Sequence, residues 1–157
     1  MLKKIYFLII ISLLFQGCDY KPIYSKNNPS TFKITDLEFT GDKDINNYFE
    51  KNLMRLSDTN AKKNYKIFVN TVYSKGSLTK NKSGNTTDYK INLSVYLKVT
   101  QIKNNNVNFK EEEISFSENF IISKNNSTFE QTNYEGVMKN NLSEILLNKI
   151  IMFLKTK

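Results

Sequence analysis

The strongest constraint on the fold is a strictly alternating segment in the second half of the chain, residues 89–99. Apolar or aromatic side chains occupy every odd position, and lysine, asparagine, serine or tyrosine occupies every even one. Because successive side chains of a strand point to opposite faces of a sheet, this pattern predicts a strand with one buried face and one wet face. The buried set is predicted to be Tyr89, Ile91, Leu93, Val95, Leu97 and Val99.

The flanking segments predict partners for this strand. Residues 65–73 are rich in β-branched and aromatic residues, which favours another strand. Three asparagines at 104–106 tolerate the backbone of a tight turn, so residues 107–122 are predicted to return as a strand. The apolar phase of that strand changes across residues 111–113, which predicts a β-bulge there. A first strand is predicted from residue 31 to Phe39, ended by Gly41.

Two segments have helical periodicity. Asp44 can cap a helix, and the apolar residues after it recur at helical spacing for about four turns. Thr128 is predicted to start a closing helix. The order strand, helix, strand, strand, strand, helix predicts an α+β domain, with two helices packed on one face of a four-stranded, mostly antiparallel sheet. The apolar stripe of the closing helix is predicted to be Phe129, Val137, Met138, Leu142, Ile145, Leu146, Ile150, Phe153 and Leu154.

The amino terminus has the form of an export signal. A short basic start precedes an apolar run at residues 5–15, which is shorter than the roughly 20 apolar residues of a spanning helix. A short membrane anchor or a buried first strand is the alternative. We expect a lipoprotein signal peptide at 1–17, a lipidated extended tether at 18–30 with both prolines, and a single α+β domain at 31–157.

The only cysteine follows this signal directly. Residues 15–18, Phe-Gln-Gly-Cys, resemble the lipobox of bacterial lipoproteins, whose cysteine is acylated. The resemblance implies lipidation at Cys18 with fatty acids such as palmitate. One myristoyl-length chain holds a protein on a membrane only weakly, so the several chains of a lipoprotein would give a stable anchor. A free cysteine in an ordinary signal tail is the alternative.

The composition excludes several kinds of catalytic site. The chain has no histidine and one cysteine, which rules out Ser-His and Cys-His nucleophile pairs, histidine zinc sites and internal disulfides. We expect no enzyme activity, no cofactor and no metal. A carboxylate-based hydrolase is the alternative class, although the acidic run 111–113 beside Lys110 is more simply a solvated edge.

The formal net charge of +8 favours polyanionic partners. Nearly all of the positive charge is lysine, which the codon usage of an AT-rich genome also produces. Lys75, Lys80 and Lys82 fall in the small, polar segment 74–87, which is predicted to be a hairpin tip. These lysines are candidate binding residues, and a solvated loop is the alternative. Nucleic acid is not an expected partner, because the chain carries an export signal.

Residues 17–24, Gly-Cys-Asp-Tyr-Lys-Pro-Ile-Tyr, followed by this order of strands and helices, resemble the LPS-assembly lipoprotein LptE family of Gram-negative outer membranes. Members commonly read Gly-Cys-Gly-Phe-x-Pro-Leu-Tyr at this point, and residues 87–95 look like the family's third strand. The resemblance covers the chain after the signal. Two residues depart from it. Asp88 stands where the family often has a basic residue, and an aspartate in the position of Asp19 can act as an inner-membrane retention signal in some bacteria.

The resemblance implies a protein that is not an enzyme. It would be anchored through Cys18 at the periplasmic side of the outer membrane, would plug and help assemble an LptD-like β-barrel, and would assist lipopolysaccharide transport to the cell surface. Lys75, Lys80 and Lys82 would then pair with phosphates and acidic sugars of lipopolysaccharide. The alternative is an accessory lipoprotein of another envelope lipid-transport or secretion complex.

Overall fold

The computed structural model describes residues 32–102 and 109–157. The predicted signal peptide, the tether with Cys18 and the asparagine turn at 104–106 lie outside the described residues. The observed order is the predicted one, and the fold is α+β. Its elements are β1 (Phe32–Gly41), α1 (Lys43–Leu56), β2 (Lys63–Lys80), β3 (Thr86–Ile102), β4 (Phe109–Ser123) and α2 (Thr128–Thr156).

The four strands form one mixed sheet in the order β1-β2-β3-β4. β1 and β2 are parallel because α1 connects them as a crossover, whereas β2–β3 and β3–β4 are antiparallel pairs. The sheet is therefore mostly antiparallel with one parallel edge.

The core lies between one face of the sheet and the two helices. The alternation predicted for β3 is confirmed, since Ile91, Leu93, Val95, Leu97 and Val99 are all buried. Tyr89 is only partly buried at the margin of the core. The buried apolar residues supplied by the helices are Ile45, Phe49 and Leu53 of α1 and Leu142, Leu146, Leu147, Ile150, Ile151 and Leu154 of α2.

The bulge predicted at residues 111–113 is wrong. The β3–β4 register runs without a break from Asp88↔Ser123 to Ile102↔Phe109. Glu112 keeps the phase of Ile114 and Phe116, and it pairs with Lys110 and Lys157 at the margin of the core. The acidic run therefore interrupts the apolar alternation without an inserted residue.

The predicted hairpin tip at 74–87 is also largely wrong, because the β2–β3 ladder extends to Lys80↔Thr86. Two register irregularities lie between Ser77 and Lys80. Hydroxyl groups pair across the strands here, for example Ser77 with Thr86 at 2.9 Å. A segment of polar side chains shows no alternation of apolar residues, so the sequence pattern did not predict a strand here, although the backbone still pairs as one. We call residues 81–85 the hairpin tip.

The first helix begins slightly earlier than predicted, whereas the closing helix begins at Thr128 as predicted. Asp42, and not Asp44, caps α1, and its carboxylate accepts hydrogen bonds from the backbone N–H groups of Asp44 and Ile45, both at 3.1 Å. Ser127 caps α2 one residue before Thr128. An acceptor at either position can satisfy the free N–H groups of a first turn, so a sequence pattern places a cap only approximately.

The two halves of α2 differ. Its second half is buried as predicted, but Phe129 and Val137 are 75% and 53% exposed and Ile145 is 40% exposed. The first half packs its polar side against the end of β2, where Glu135 meets Tyr73 and Lys75. Across the described residues, no helix is both long and apolar enough to cross a membrane.

Candidate binding surface

The hairpin tip is held by its own polar groups. The side-chain oxygen of Asn81 accepts the backbone N–H groups of Ser83 and Asn85 at 3.0 and 2.9 Å, and Gly84 provides the positive φ of 81° that the turn requires. Lys80 and Lys82 are exposed here, and neither forms a salt bridge within 32–102 or 109–157. These two lysines are free to meet an anion.

Lys75 lies apart from the other two predicted lysines. Its ammonium pairs with Glu135 of α2 and lies 4.6 Å from the centre of the Tyr89 ring. Lys80 lies five positions further along β2, a distance of roughly 16 Å along an extended backbone. The structure therefore brings Lys80 and Lys82 together and gives Lys75 an internal partner.

Asp88, the residue that departs from the family pattern, lies below the tip among hydroxyl groups. Its carboxylate accepts hydrogen bonds from Thr79, from Ser123 at 2.9 Å and from Thr87 at 3.0 Å. These bonds hold the pKa of Asp88 below its ordinary value. The carboxylate thus ties β2, β3 and β4 together at the base of the tip.

The face of the sheet away from the helices is uncovered in the described part of the chain and is mostly polar, although the apolar side chains of Val72 and Ile121 are also exposed on it. At its centre, the Ser94 and Ser117 hydroxyls lie 3.0 Å apart, and the Asn92 amide bonds to both, also at 3.0 Å. Further along the same two strands, Lys98 pairs with Glu111 at 2.8 Å. We call this surface the open face. Its outward residues on β3 and β4 are Asn92, Ser94, Tyr96, Lys98, Thr100, Glu111, Glu113, Ser115, Ser117, Asn119 and Ile121.

The carboxylates of the acidic run 111–113 have lysine partners. Glu111 and Glu113 flank Lys98, and Glu112 lies between Lys110 and Lys157. Such pairing is typical of a solvated strand end. Within residues 32–102 and 109–157 no cluster of acidic side chains could hold a metal ion. A small cavity of about 30 Å³ beside Glu112 is also lined by Tyr65 and Phe153, and it is large enough for a water molecule.

A partly buried ion-pair network, which the sequence pattern did not reveal, joins the two helices and β2. Lys139 Nζ lies 2.8 Å from Asp42 Oδ2, and both side chains are about four-fifths buried. Glu135 accepts the Tyr73 hydroxyl at 2.6 Å. Lys139 lies outside the apolar stripe predicted for α2, but the structure buries most of its side chain. Its partner is distant in sequence, so only the tertiary structure reveals the pair.

The electrostatics of this network favour its charged form. Burial by itself would raise the pKa of Asp42, but hydrogen bonds from Lys139 and from the backbone of Ile45 and Asp44 outweigh it and lower the pKa. Burial by itself would also raise the pKa of Glu135, but hydrogen bonds from Lys75 and Tyr73 outweigh this effect and lower the pKa. Burial and the hydrogen bond to Glu135 raise the pKa of Tyr73, which keeps its hydroxyl protonated.

Replacing Lys139 by alanine is expected to give a pH-dependent loss of stability. A carboxylate with a depressed folded-state pKa stabilises the fold above its unfolded pKa of about 4, and that stability is lost as the pH falls through the folded pKa. Lys139→Ala should therefore cost about 1–2 kcal/mol at pH 7 and progressively less below about pH 4. Urea unfolding at pH 7, 5 and 3 measures this. Lys51→Ala, on the exposed side of α1, is the control. If Lys139→Ala lowers the free energy of unfolding by the same amount at every pH, the ion pair does not explain the loss.

Comparison with known proteins gives structural likeness only. No protein-family model and no curated protein sequence matches the chain. The crystal structure of rare lipoprotein B from Shewanella oneidensis matches with a TM-score of 0.55 and 11% identity, over 79% of this chain and 94% of that one. The solution structure of an uncharacterized lipoprotein B from Nitrosomonas europaea matches with a TM-score of 0.46 and 11% identity, over 84% and 90% of the two chains. The chain therefore shares the fold of rare lipoprotein B.

Proposed function

We propose that this chain is an outer-membrane lipoprotein, anchored through lipid at Cys18, that plugs and helps assemble an LptD-like β-barrel and assists lipopolysaccharide transport to the cell surface. The chain acts as a binding and structural component and catalyses no reaction. Its partners are the barrel, lipopolysaccharide and, through the lipid, the membrane.

The observation that carries this proposal is the open face. A sheet that buries one face against two helices and leaves the other to serine, asparagine and paired charges has a polar binding surface. The interior of a porin-type barrel is polar and takes plugs that hydrogen-bond to its wall. The hydroxyl and amide groups around Ser94 and Ser117 offer both donors and acceptors to such a wall. An apolar partner surface would leave the remaining donors and acceptors of these groups unpaired.

Two further observations agree with the proposal. The sequence has an export signal followed by Gly17-Cys18, the arrangement of a lipoprotein. The fold is shared with a protein named as a lipoprotein, rare lipoprotein B. An accessory lipoprotein of another envelope complex fits the same two observations, and the partner distinguishes the two candidates.

Affinity purification of the tagged chain from detergent-solubilised outer membranes tests the proposal. We expect a large β-barrel protein, identified by mass, to co-purify in a fixed ratio. A large, hydrogen-bonded interface should keep this association at 1 M salt, where the Debye length is only about 3 Å. A different envelope complex in the eluate would establish the alternative, and a chain recovered alone would overturn both.

The exposed lysines of the hairpin are expected to contribute to lipopolysaccharide binding. Replacing Lys80 and Lys82 together by serine should weaken binding of purified lipopolysaccharide by about thirtyfold at 0.05 M salt, because each removed charge loses an attraction of about 1 kcal/mol to an anionic lipid surface. The loss should shrink as salt rises, because the Debye length falls. Fluorescence titration with labelled lipopolysaccharide measures it, and the barrel should still co-purify.

Two controls sharpen this test. Lys51 and Lys62 are exposed lysines away from the hairpin, so their joint replacement by serine removes the same charge and should weaken binding far less. Lys75→Ser should mainly lower stability, because it leaves Glu135 without its ammonium partner. If the Lys51 and Lys62 double variant weakens binding as much as the Lys80 and Lys82 double variant, only net charge matters and the hairpin has no special role.

A further inference from the structure

The four strands and the carboxyl ends of both helices meet at one end of the domain. Phe32 of β1 pairs with Lys63 of β2, and β3 ends and β4 begins in the same part of the sheet. Just after α1, the backbone N–H of Asp58 donates to the carbonyl oxygen of Phe32 at 3.1 Å. At the end of α2, Lys157 pairs with Glu112. We call this part of the molecule the tether end, because the predicted tether 18–30 leads into it.

The tether end carries the excess positive charge of the described residues. Seven basic side chains lie there against two carboxylates, Asp58 and Glu112, which gives a net formal charge of +5. The remaining described residues have 11 basic and 12 acidic side chains, a net charge of −1. A general excess of lysine would be spread over the domain, whereas this charge is concentrated at one end. The basic residues of the tether end are Lys33, Arg55, Lys62, Lys63, Lys110, Lys155 and Lys157.

Five of these seven cations form no salt bridge within residues 32–102 and 109–157. Lys110 and Lys157 share the carboxylate of Glu112, and Arg55 donates to the neutral amide of Asn52 at 3.1 Å. Cations without a carboxylate partner can meet an external anion without first breaking an internal pair. The five are Lys33, Arg55, Lys62, Lys63 and Lys155.

Helix dipoles explain only part of this arrangement. The carboxyl end of a helix favours a cation in its last turn, which accounts for Arg55 of α1 and Lys155 of α2. Lys33 and Lys63 lie at the starts of strands and Lys62 lies in the connection before β2, so no helix of theirs ends at these positions. Local structure therefore gives no reason for most of the charge at the tether end.

We propose that the tether end is a docking surface for the anionic phospholipid headgroups of the membrane that holds the lipid at Cys18. This proposal rests on the lipid anchor of the proposed function, but it does not depend on the barrel. Thirteen residues join Cys18 to Phe32, and they can span at most roughly 45 Å. The anchor therefore keeps the tether end near the membrane without fixing its orientation. The joining segment carries Lys21 and Lys26 against Asp19, so it has the same sign of charge.

Electrostatic attraction to the headgroups supplies the orientation. Each lysine near an anionic lipid surface raises the equilibrium in favour of contact by about fivefold, and the attraction falls off within a Debye length. Contact at the tether end points the hairpin tip away from the membrane. The 18 residues of β2 separate the two, a distance of roughly 55 Å along an extended strand. The open face lies between them, so it stays available to a barrel.

Energy transfer from the protein to labelled headgroups tests the proposal. The full-length lipoprotein is purified in detergent and reconstituted into vesicles of phosphatidylcholine, with or without phosphatidylglycerol. A fluorophore on Asn60→Cys reports on the tether end and one on Asn85→Cys reports on the hairpin tip, since both positions are exposed. With phosphatidylglycerol at low salt, we expect high transfer from residue 60 and low transfer from residue 85. Transfer from residue 60 should fall without phosphatidylglycerol, and also at 1 M salt, where the Debye length is only about 3 Å.

A charge-matched pair of variants locates the contact. Replacing Lys33, Lys63 and Lys155 together by serine should lower the ratio of docked to undocked chains by about a hundredfold, because each lysine contributes about fivefold. Transfer from residue 60 should then fall to its value in phosphatidylcholine alone. The control replaces three exposed lysines elsewhere by serine and should leave the transfer unchanged. These three are Lys43, Lys51 and Lys124.

The outcomes separate this proposal from the proposed function. A chain that does not float with phosphatidylglycerol vesicles would overturn both the lipid anchor and the docking surface. A chain that floats with both kinds of vesicle but gives equal transfer from residue 60 in the two would overturn the docking surface alone. So would an equal fall for the control variant and the tether-end variant, with circular dichroism confirming that each is folded. The lipid and salt comparisons use the natural lysines, so they decide the question even if a triple variant does not fold.

Discussion

Replacing Leu146 by alanine is expected to lower the free energy of unfolding by about 2–5 kcal/mol. Leu146 is fully buried in the second half of α2, one turn from Leu142 and one turn from Ile150, which are buried as well. Truncation removes apolar contact area and leaves a cavity that the neighbouring strands cannot close. Because α2 seals the core over β3 and β4, this loss should appear as a fall in the midpoint of cooperative urea unfolding with little change in slope.

Asn140→Ala is the matched control, because Asn140 lies on the same helix and is exposed. Its stability should change by at most about 0.5 kcal/mol. Lys139 is unsuitable as an exposed control, since it pairs with Asp42. If Leu146→Ala and Asn140→Ala unfold at the same urea concentration, the buried face of α2 has been assigned wrongly.

Among glycine-to-alanine substitutions in the described residues, Gly41→Ala is expected to be the most disruptive, lowering the free energy of unfolding by more than about 2 kcal/mol. Gly41 ends β1 with a φ of +97°, which side-chain-bearing residues rarely adopt, and an added Cβ would lie 1.8 Å from the carbonyl oxygen of Thr71. The neighbouring Asp42 N–H bonds to the Thr71 hydroxyl at 3.0 Å, and Asp42 caps α1. Relief of the clash must therefore shift the junction between β1, β2 and α1.

Two other glycines separate the sources of this effect. Gly84→Ala has the strained φ of +81° but no neighbour within 4 Å, so it should cost only roughly 1–2 kcal/mol. Gly76→Ala has neither strain nor neighbour, and should leave stability unchanged or raise it by about 0.4–1 kcal/mol. Thermal unfolding of the three variants measures the series. Equal losses at Gly41 and Gly84 would mean that the close approach to Thr71 contributes nothing.

The candidate surface was only partly predictable. The sequence pattern placed Lys75, Lys80 and Lys82 in one polar segment, but strand pairing carries the chain straight through Lys75 and turns its side chain towards Glu135. The open face follows from the alternation of β3, because every even residue from Asn92 to Lys98 had to face away from the core. The open face is uncovered because both helices pack on the other face of the sheet. The sequence predicted that the helices share one face, but not where on that face each helix lies.

Local chemistry by itself determined the element order and the buried side of β3 and of the second half of α2. Those features depend on residues that are close in the chain. An apolar residue every 2 positions in a strand, or about every 3.6 positions in a helix, indicates which face is buried. The unbroken β4 register, the pairing of Lys139 with Asp42 and the exposure of Phe129 and Val137 were decided only by the tertiary structure. Each of these features depends on contacts between residues that are far apart in sequence. The packing of helices and strands decides whether such a side chain is buried or paired, and the local spacing of apolar residues does not predict that packing.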